Sequence, residues 1–355
     1  MKIIHTADLH LGAPIDSALP PHVANDRKAE LRKAFNSMVE YANAQRVSAI
    51  MLVGDVFDRD EPFKRDKDFF LSVVNSYPNI DFLYLRGNHD NSEDFKDGKP
   101  KNLITFSDSW SSVRYGNVVI SGIEITSKNV DKYPYLLNLN ENDINIVMLH
   151  GQVSESADGE IVPSRLKDKN INYLALGHIH KAQEHVLDNR ANYYYSGCLV
   201  GRGFDECGEK GFRLLEVGDK ITSKFIKSDV KPISKVAVDV SGAKDEYEVY
   251  KIVKDGVKED KNCILKIELV GEISFDDDGL CAQLEKMLAH FFYYVYVKNL
   301  TVRKFNLDEL KNDLSLKGEF LRSVLQDESL SYEQKNTIVS IGLKALDGKE
   351  IELWY

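Results

Sequence analysis

Short apolar runs recur along the first two thirds of the chain, at Lys2–Ala7, Val47–Val53, Ile80–Leu85, Ile144–Leu149 and Ile171–Leu176, and each empties into polar residues. Runs of this length, partly β-branched and without alternation, predict strands buried on both faces. Between them the spacing changes. Leu31, Phe35, Met38, Val39 and Ala42 recur at helical intervals and predict a helix over Asp26–Gln45; Phe69, Phe70, Val73 and Val74 predict another over Asp66–Tyr77. Strand followed by helix, repeated, is the signature of a layered α/β domain. Val113–Ile125 reads as a hairpin around Gly116-Asn117, and further strands are expected at Ala191–Tyr195, Phe212–Val217 and Ile221–Ile226. That is too much sheet for a simple doubly wound fold. The expected class is α/β, with two packed β-sheets flanked by helices.

A polar stretch ending in Pro232 breaks the pattern. We place a first domain at 1–228 and a small α/β cap at 229–303. Strands at Lys235–Val240, Cys263–Val270 and Tyr293–Val297 there alternate with helices at Asp245–Lys254 and Gly279–His290. The cap holds no cluster of chemical side chains. Alternation around Val295 and Val297 makes its aromatic run, Phe291 to Tyr296, a strand with one face in the core rather than a stacking platform for bases. A helical segment, 304–355, completes the chain. Its apolar positions (Leu310, Leu314, Phe320, Leu321, Val324, Leu325, then Ile338, Ile341, Leu343) suit packing on the chain itself as well as docking a partner helix.

Composition narrows the class little: of 355 residues, 43% are hydrophobic and 29% charged, as in an ordinary globular protein. No apolar run is long enough to cross a bilayer, and Met1 leads directly into a strand, so the expectation is a cytoplasmic protein without a membrane partner. Four cysteines with no CxxC pair argue against a zinc ribbon and a disulfide framework. A net charge of −10 does not by itself point to nucleic acid.

The polar residues at the strand ends change the picture. They are Asp8 and His10, then Asp55 and Asp58 after Gly54, then Asn88, His89 and Asp90 after Gly87, then His150, then His178 and His180. Five of the nine histidines lie in these loops. In extended backbone, positions i and i+2 point the same way, so Asp8 and His10 can converge on one ion, and His178 with His180 is a second i, i+2 pair. Oxygen donors with imidazoles and no thiolate suit manganese, iron or zinc in a dinuclear arrangement. Asp55, on the central strand, is the candidate to bridge two ions about 3.5–4 Å apart. His5 and His185 lie beside these motifs and are read as structural.

Asp-x-His, Gly-Asp-x-x-Asp, Gly-Asn-His-Asp, His-Gly and Gly-His-x-His, in that order, resemble the motif set of the calcineurin-like metallophosphoesterases. "HTADLHLG", "GDVFD" and "GHIH" are similar to the SbcD and YhaO-type DNA repair exonucleases, and the glycine-rich segment from Tyr195 to Gly211 resembles the one that follows the last histidines in that group. The resemblance covers residues 1–228. It implies one metal on Asp8, His10, Asp55 and His180 and a second on Asp55, Asn88, His150 and His178, with manganese as the ion. It implies His89 as the group that protonates or stabilises the leaving oxygen, and Asp90 is placed beside it to orient its ring. Asp58 stands where the archaeal and eukaryotic relatives carry histidine and is read as a support for the ligands. The implied activity is metal-dependent exonucleolytic and endonucleolytic cleavage of DNA at ends. The implied partners are DNA, an SbcC/YhaN-like coiled-coil ATPase and a second copy of the chain. Two alternatives stand beside it: a phosphodiesterase or phosphatase acting on a small nucleotide or other ester, and a scaffold without activity.

Overall fold

A computed structural model describes residues 1–15, 18–58, 63–90, 95, 98–156, 160–275, 277–303, 314–346 and 348. The chain divides into two compact units, Met1–Ile233 and Ser234–Tyr355.

In the first unit the elements run β1 (Lys2–Thr6), α1 (Pro21–Ala44), β2 (Ala49–Val53), α2 (Lys64–Ser76), β3 (Asp81–Leu85) and β4 (Leu103–Thr105). They continue with β5 (Ser111–Tyr115), β6 (Val118–Gly122), α3 (Tyr133–Leu136), β7 (Ile144–His150), β8 (Tyr173–Gly177), β9 (Gln183–Val186), β10 (Asn192–Tyr195), β11 (Gly211–Val217) and β12 (Ile221–Lys227). One six-stranded sheet has the order β12-β11-β1-β2-β3-β4, the other β5-β6-β7-β8-β10-β9. The two sheets and their flanking helices form the expected fold class. β1 to β4 are mutually parallel, as are β6, β7, β8 and β10. Parallel strands put their C-terminal ends on one edge, where connecting loops gather.

The apolar runs serve two cores at once, because successive side chains of a strand point to opposite faces. Ile3, Met51, Val53 and Leu83 meet Ile120, Ile146, Met148 and Ala175 between the sheets. Their neighbours Ile4, Ile50, Leu52 and Phe82 face Phe35, Met38 and Phe70 of α1 and α2. Val147, Leu149, Leu174 and Leu176 pack outward on Tyr133 and Leu166.

Two differences from the sequence reading have local causes. α1 starts earlier, at Pro21, because proline at its first turn needs no N–H partner and Val23 and Arg27 extend the buried stripe. β9 is Gln-Glu-His-Val and carries no apolar alternation. It is a strand because β10 pairs with it, Tyr195 opposite Gln183 and Asn192 opposite Val186.

The second unit contains β13 (Ile233–Asp239), α4 (Glu246–Gly256), β14 (Ile264–Val270), β15 (Glu272–Ile273), α5 (Leu280–Leu288), β16 (Tyr294–Asn299), β17 (Val302–Arg303), α6 (Leu316–Gln326) and α7 (Tyr332–Leu346). Asp245 caps α4 by accepting the amide of Glu248. The sheet β13-β14-β16 covers a core built on Val249, Val253, Leu265, Ile267, Leu284 and Leu288. Val295 and Val297 are buried there, between the half-buried Tyr294 and Tyr296. α6 and α7 pack on each other through Leu321, Val324 and Val339, with Phe320, Leu325 and Leu343 against them. The tail's apolar stripe is therefore partly spent on itself, while Ile338 and Ile341 stay exposed. Leu310 lies outside the described residues. No described helix is long and apolar enough to cross a membrane, and no disulfide links the four cysteines.

Candidate metal centre

The loops after β1, β2, β3 and β8, with His150 at the end of β7, bring their polar side chains to one place. Asp8, His10 and His180 form one cluster with ligand atoms within 4.8 Å of one another, and Asp55, His150 and His178 form a second. Asp55 joins them: its Oδ2 lies 3.8 Å from His10 Nε2 and 3.3 Å from His150 Nε2. Asn88 Oδ1 stands 3.2 Å from both His150 Nε2 and His178 Nδ1, which places it in the second cluster.

These positions are strained. Asp8, His10, Asp55 and His178 all adopt positive φ, at 54°, 47°, 53° and 105°. Side chains rarely do so unless the surroundings enforce it, and such outliers gather at functional sites. Asp8 and His10 therefore converge through a left-handed turn, not along the extended backbone expected from their i, i+2 spacing. His178 and His180 stand in different clusters, His180 with Asp8 and His10 and His178 with Asp55 and His150. The glycines before the acids and amides are equally constrained. A Cβ at Gly54 would lie 2.0 Å from His150 Nδ1, and one at Gly87 would lie 2.1 Å from Asp55 Oδ1.

The electrostatics are those of a site built around positive charge. Burial raises the Asp8 carboxyl to about 6 although His150 and His180 draw it down. Burial alone would lower His150, yet its bond to Asp55 and the charges of Asp8 and Asp55 carry it up to about 9. Asp55 is held well below the usual carboxylate range: burial works against its charge, and the His150 bond and charge, the His89 amide and the His10 charge outweigh it. At the first cluster, His10 Nε2 and His180 Nε2 face each other at 3.0 Å. Their Nδ1 atoms are turned to carboxylates: His180 Nδ1 to Glu206 at 2.8 Å, and His10 Nδ1 to Asp58 at 2.8 Å, a close contact without the alignment of a hydrogen bond. With the ring protons assigned to Nδ1 on those partners, two lone pairs point at one spot. A cation there resolves the conflict, so the donor set fits divalent ions at both clusters.

Residues 1–182 match the family model of the calcineurin-like phosphoesterases. The chain is a member of that family. Its relatives include a protein named DNA double-strand break repair protein Mre11 from Sulfolobus acidocaldarius, 22% identical over 99% of this chain and 97% of that one. Bacillus subtilis YhaO, named an uncharacterized metallophosphoesterase, is 28% identical over 72% of this chain and 67% of its own. The SbcD component of the SbcCD nuclease from Staphylococcus saprophyticus is 25% identical over 67% of this chain and 71% of its own.

Within this phosphoesterase site, His89 sits at the solvent-facing rim. Its side chain is 45% exposed, its ring centre is 5.1 Å from that of His10, and its amide donates to Asp55 Oδ1 at 2.9 Å. Asp90 takes a different place from the one expected. Its carboxylate accepts the amides of Phe57, Gly87 and Val56 at 2.9, 3.0 and 3.3 Å, and among the described bonds none reaches the His89 ring. It ties the loop after β2 to the loop after β3. Among the described contacts, the carboxylate that meets the His89 ring is Asp58, 4.0 Å from Nδ1.

Residues that the sequence reading did not single out complete the first cluster. Glu206 braces His180, and Arg202 bridges Glu206 and Asp58. The available signal was an acid and an arginine four apart in the glycine-rich segment after the last histidines. Cys198 lies beside His180 and Glu206. Burial pushes its thiol up to about 12 and its Sγ donates toward the His180 carbonyl, so it contributes no thiolate. His5 is fully buried between the Tyr173 hydroxyl and the Leu176 carbonyl, and His185 stacks on Tyr193, 5.0 Å between ring centres.

Proposed function

We propose that this phosphoesterase is a manganese-dependent nuclease that hydrolyses phosphodiester bonds at DNA ends in repair, alone or as the nuclease component of a complex with a coiled-coil ATPase and a second copy of itself. The observation that carries it is a pair of ligand clusters joined by Asp55, with an imidazole, His89, at the open rim. The relatives' names supply the substrate class. Asp8, His10, Asp55 and His180 would hold one divalent ion and Asp55, Asn88, His150 and His178 a second, and such ions would supply Lewis acidity and a nucleophilic water near neutral pH. The remaining work is done by the chain's own groups. Asp55 accepts the His89 amide and so sets the backbone from which that ring projects. His89 then donates a proton to the leaving oxygen, a contribution of roughly 10²- to 10⁴-fold. Asp90 acts only through the loop backbone it clamps.

The test is cleavage of end-labelled linear DNA beside cyclic and linear nucleotides, with manganese and with magnesium. We expect DNA degradation that a chelator abolishes. His89→Asn is expected to lose cleavage while its metal content stays unchanged. Full activity in that variant, or hydrolysis of nucleotides alone, overturns the reading.

A further inference from the structure

Behind the first cluster lies a layer of charge that meets the histidine rings themselves. Arg202 donates through Nε and Nη2 to Glu206 Oε1 at 3.0 and 2.9 Å, and through Nη1 to Asp58 Oδ1 at 3.1 Å. Its amide also donates to Glu206 Oε2 at 2.9 Å, so both carboxylate oxygens are fixed. These are the same two carboxylates that meet Nδ1 of His180 and of His10. One guanidinium thus sets the orientation of two imidazoles from different strand ends.

The anchor is deeper still. Arg27 of α1, 1% exposed, donates from Nε and Nη2 to the carbonyl of Gly201, the residue before Arg202, at 3.1 and 2.7 Å. The second cluster is supported otherwise: His150 Nδ1 rests on the neutral carbonyl of Val53 at 2.9 Å. Among the described contacts, neither His150 nor His178 meets a carboxylate outside the ligand set.

We infer that Arg202 is a positioning residue that, through Asp58 and Glu206, holds His10 and His180 in place for one ion, so that the two metal sites load with unequal affinity. A planar fork can brace two carboxylates at once with little loss of freedom. Carboxylates that orient ligating histidines also raise their basicity, and losing such a partner costs roughly 10- to 100-fold in affinity. The inference depends on metal binding and not on the nucleic-acid substrate, so its test can fail while the nuclease reading stands.

The experiment is manganese titration of the whole chain by calorimetry, with melting of the metal-free protein as the check on folding. The wild type is expected to show two classes of site. Arg202→Ala should weaken the tighter class by about 10-fold or more and leave the weaker class unchanged. Arg202→Lys, which keeps the charge but cannot span both acids, should fall between. Glu206→Gln should weaken the same class. Unchanged binding in Arg202→Ala, or equal weakening of both classes, overturns the inference. Where Arg202→Ala fails to fold, unchanged binding in both Arg202→Lys and Glu206→Gln overturns it.

Discussion

The two units are built alike and do different work, and their backbones show why. Each has parallel strands joined through helices over an aliphatic core. In the first unit four of the seven described non-glycine residues at positive φ, Asp8, His10, Asp55 and His178, stand at the candidate metal centre, with Arg46, Asp168 and Asn170 elsewhere. In the second, every described residue at positive φ is a glycine: Gly242, Gly271, Gly279 and Gly348. The first unit stores strain where chemistry is placed; the second turns its chain where turning is cheapest. Strain of about 1–3 kcal/mol per residue persists only where the surroundings over-determine it. Here the surroundings are carboxylate-to-amide bonds such as Asp8 to the His178 amide and Asp90 to three amides.

The largest expected effect separates the units most sharply. Asp55→Ala removes the group shared by both clusters and should abolish binding of both ions, a greater loss than changes behind the ligands cause; metal analysis of the purified variant reads it. Gly87→Ala comes next. Its methyl would stand 2.1 Å from Asp55 Oδ1, so Asp55 must shift. We expect loss of metal together with about 1–3 kcal/mol of stability, measured by calorimetry and denaturant unfolding.

The second unit should respond in stability alone. Leu284→Ala, in its core, should cost about 2–5 kcal/mol in that unit's unfolding and leave the metal isotherm unchanged. Gly279→Ala, at φ 82° with open space around its Cβ, should cost only about 1–2 kcal/mol and likewise spare metal binding. Any loss of manganese in either variant would erase the division of labour.

A smaller effect follows from protons. In the metal-free chain His150 titrates near 9 against an ordinary 6.5. Its protonated form stabilises the fold fully below pH 6.5, and that contribution is lost as pH rises through about 9. Metal binds the unprotonated ring, so manganese affinity should rise over the same interval. Melting across that range, with and without manganese, should show opposite slopes. Parallel slopes would remove His150 from the ligand set.

The apolar runs and the polar residues that end them were legible because both obey short-range rules: strands buried on two faces read as continuous hydrophobic stretches, and chemistry collects where they stop. Glu206 and Arg202 were not legible as functional, since an acid and an arginine four apart in a glycine-rich segment do not say which rings they meet. Their role exists only because the segment after β10 returns beside His10 and His180. Asp90 misled for the opposite reason: adjacency to His89 in sequence implied contact, while the turn sends its carboxylate to backbone amides. β9 was invisible because its pairing comes from β10 and not from its own pattern.

What the sequence by itself determined was the set of candidate ligands, the strands that carry them and the family. Residue types and hydrophobic periods are local quantities, readable without knowing what lies nearby. The tertiary structure alone decided the backbone turns that bring these side chains together and which carboxylates stand behind which rings. Those are matters of left-handed turns and of contacts such as Arg202 to Asp58, 144 positions apart, which only the packed chain brings together.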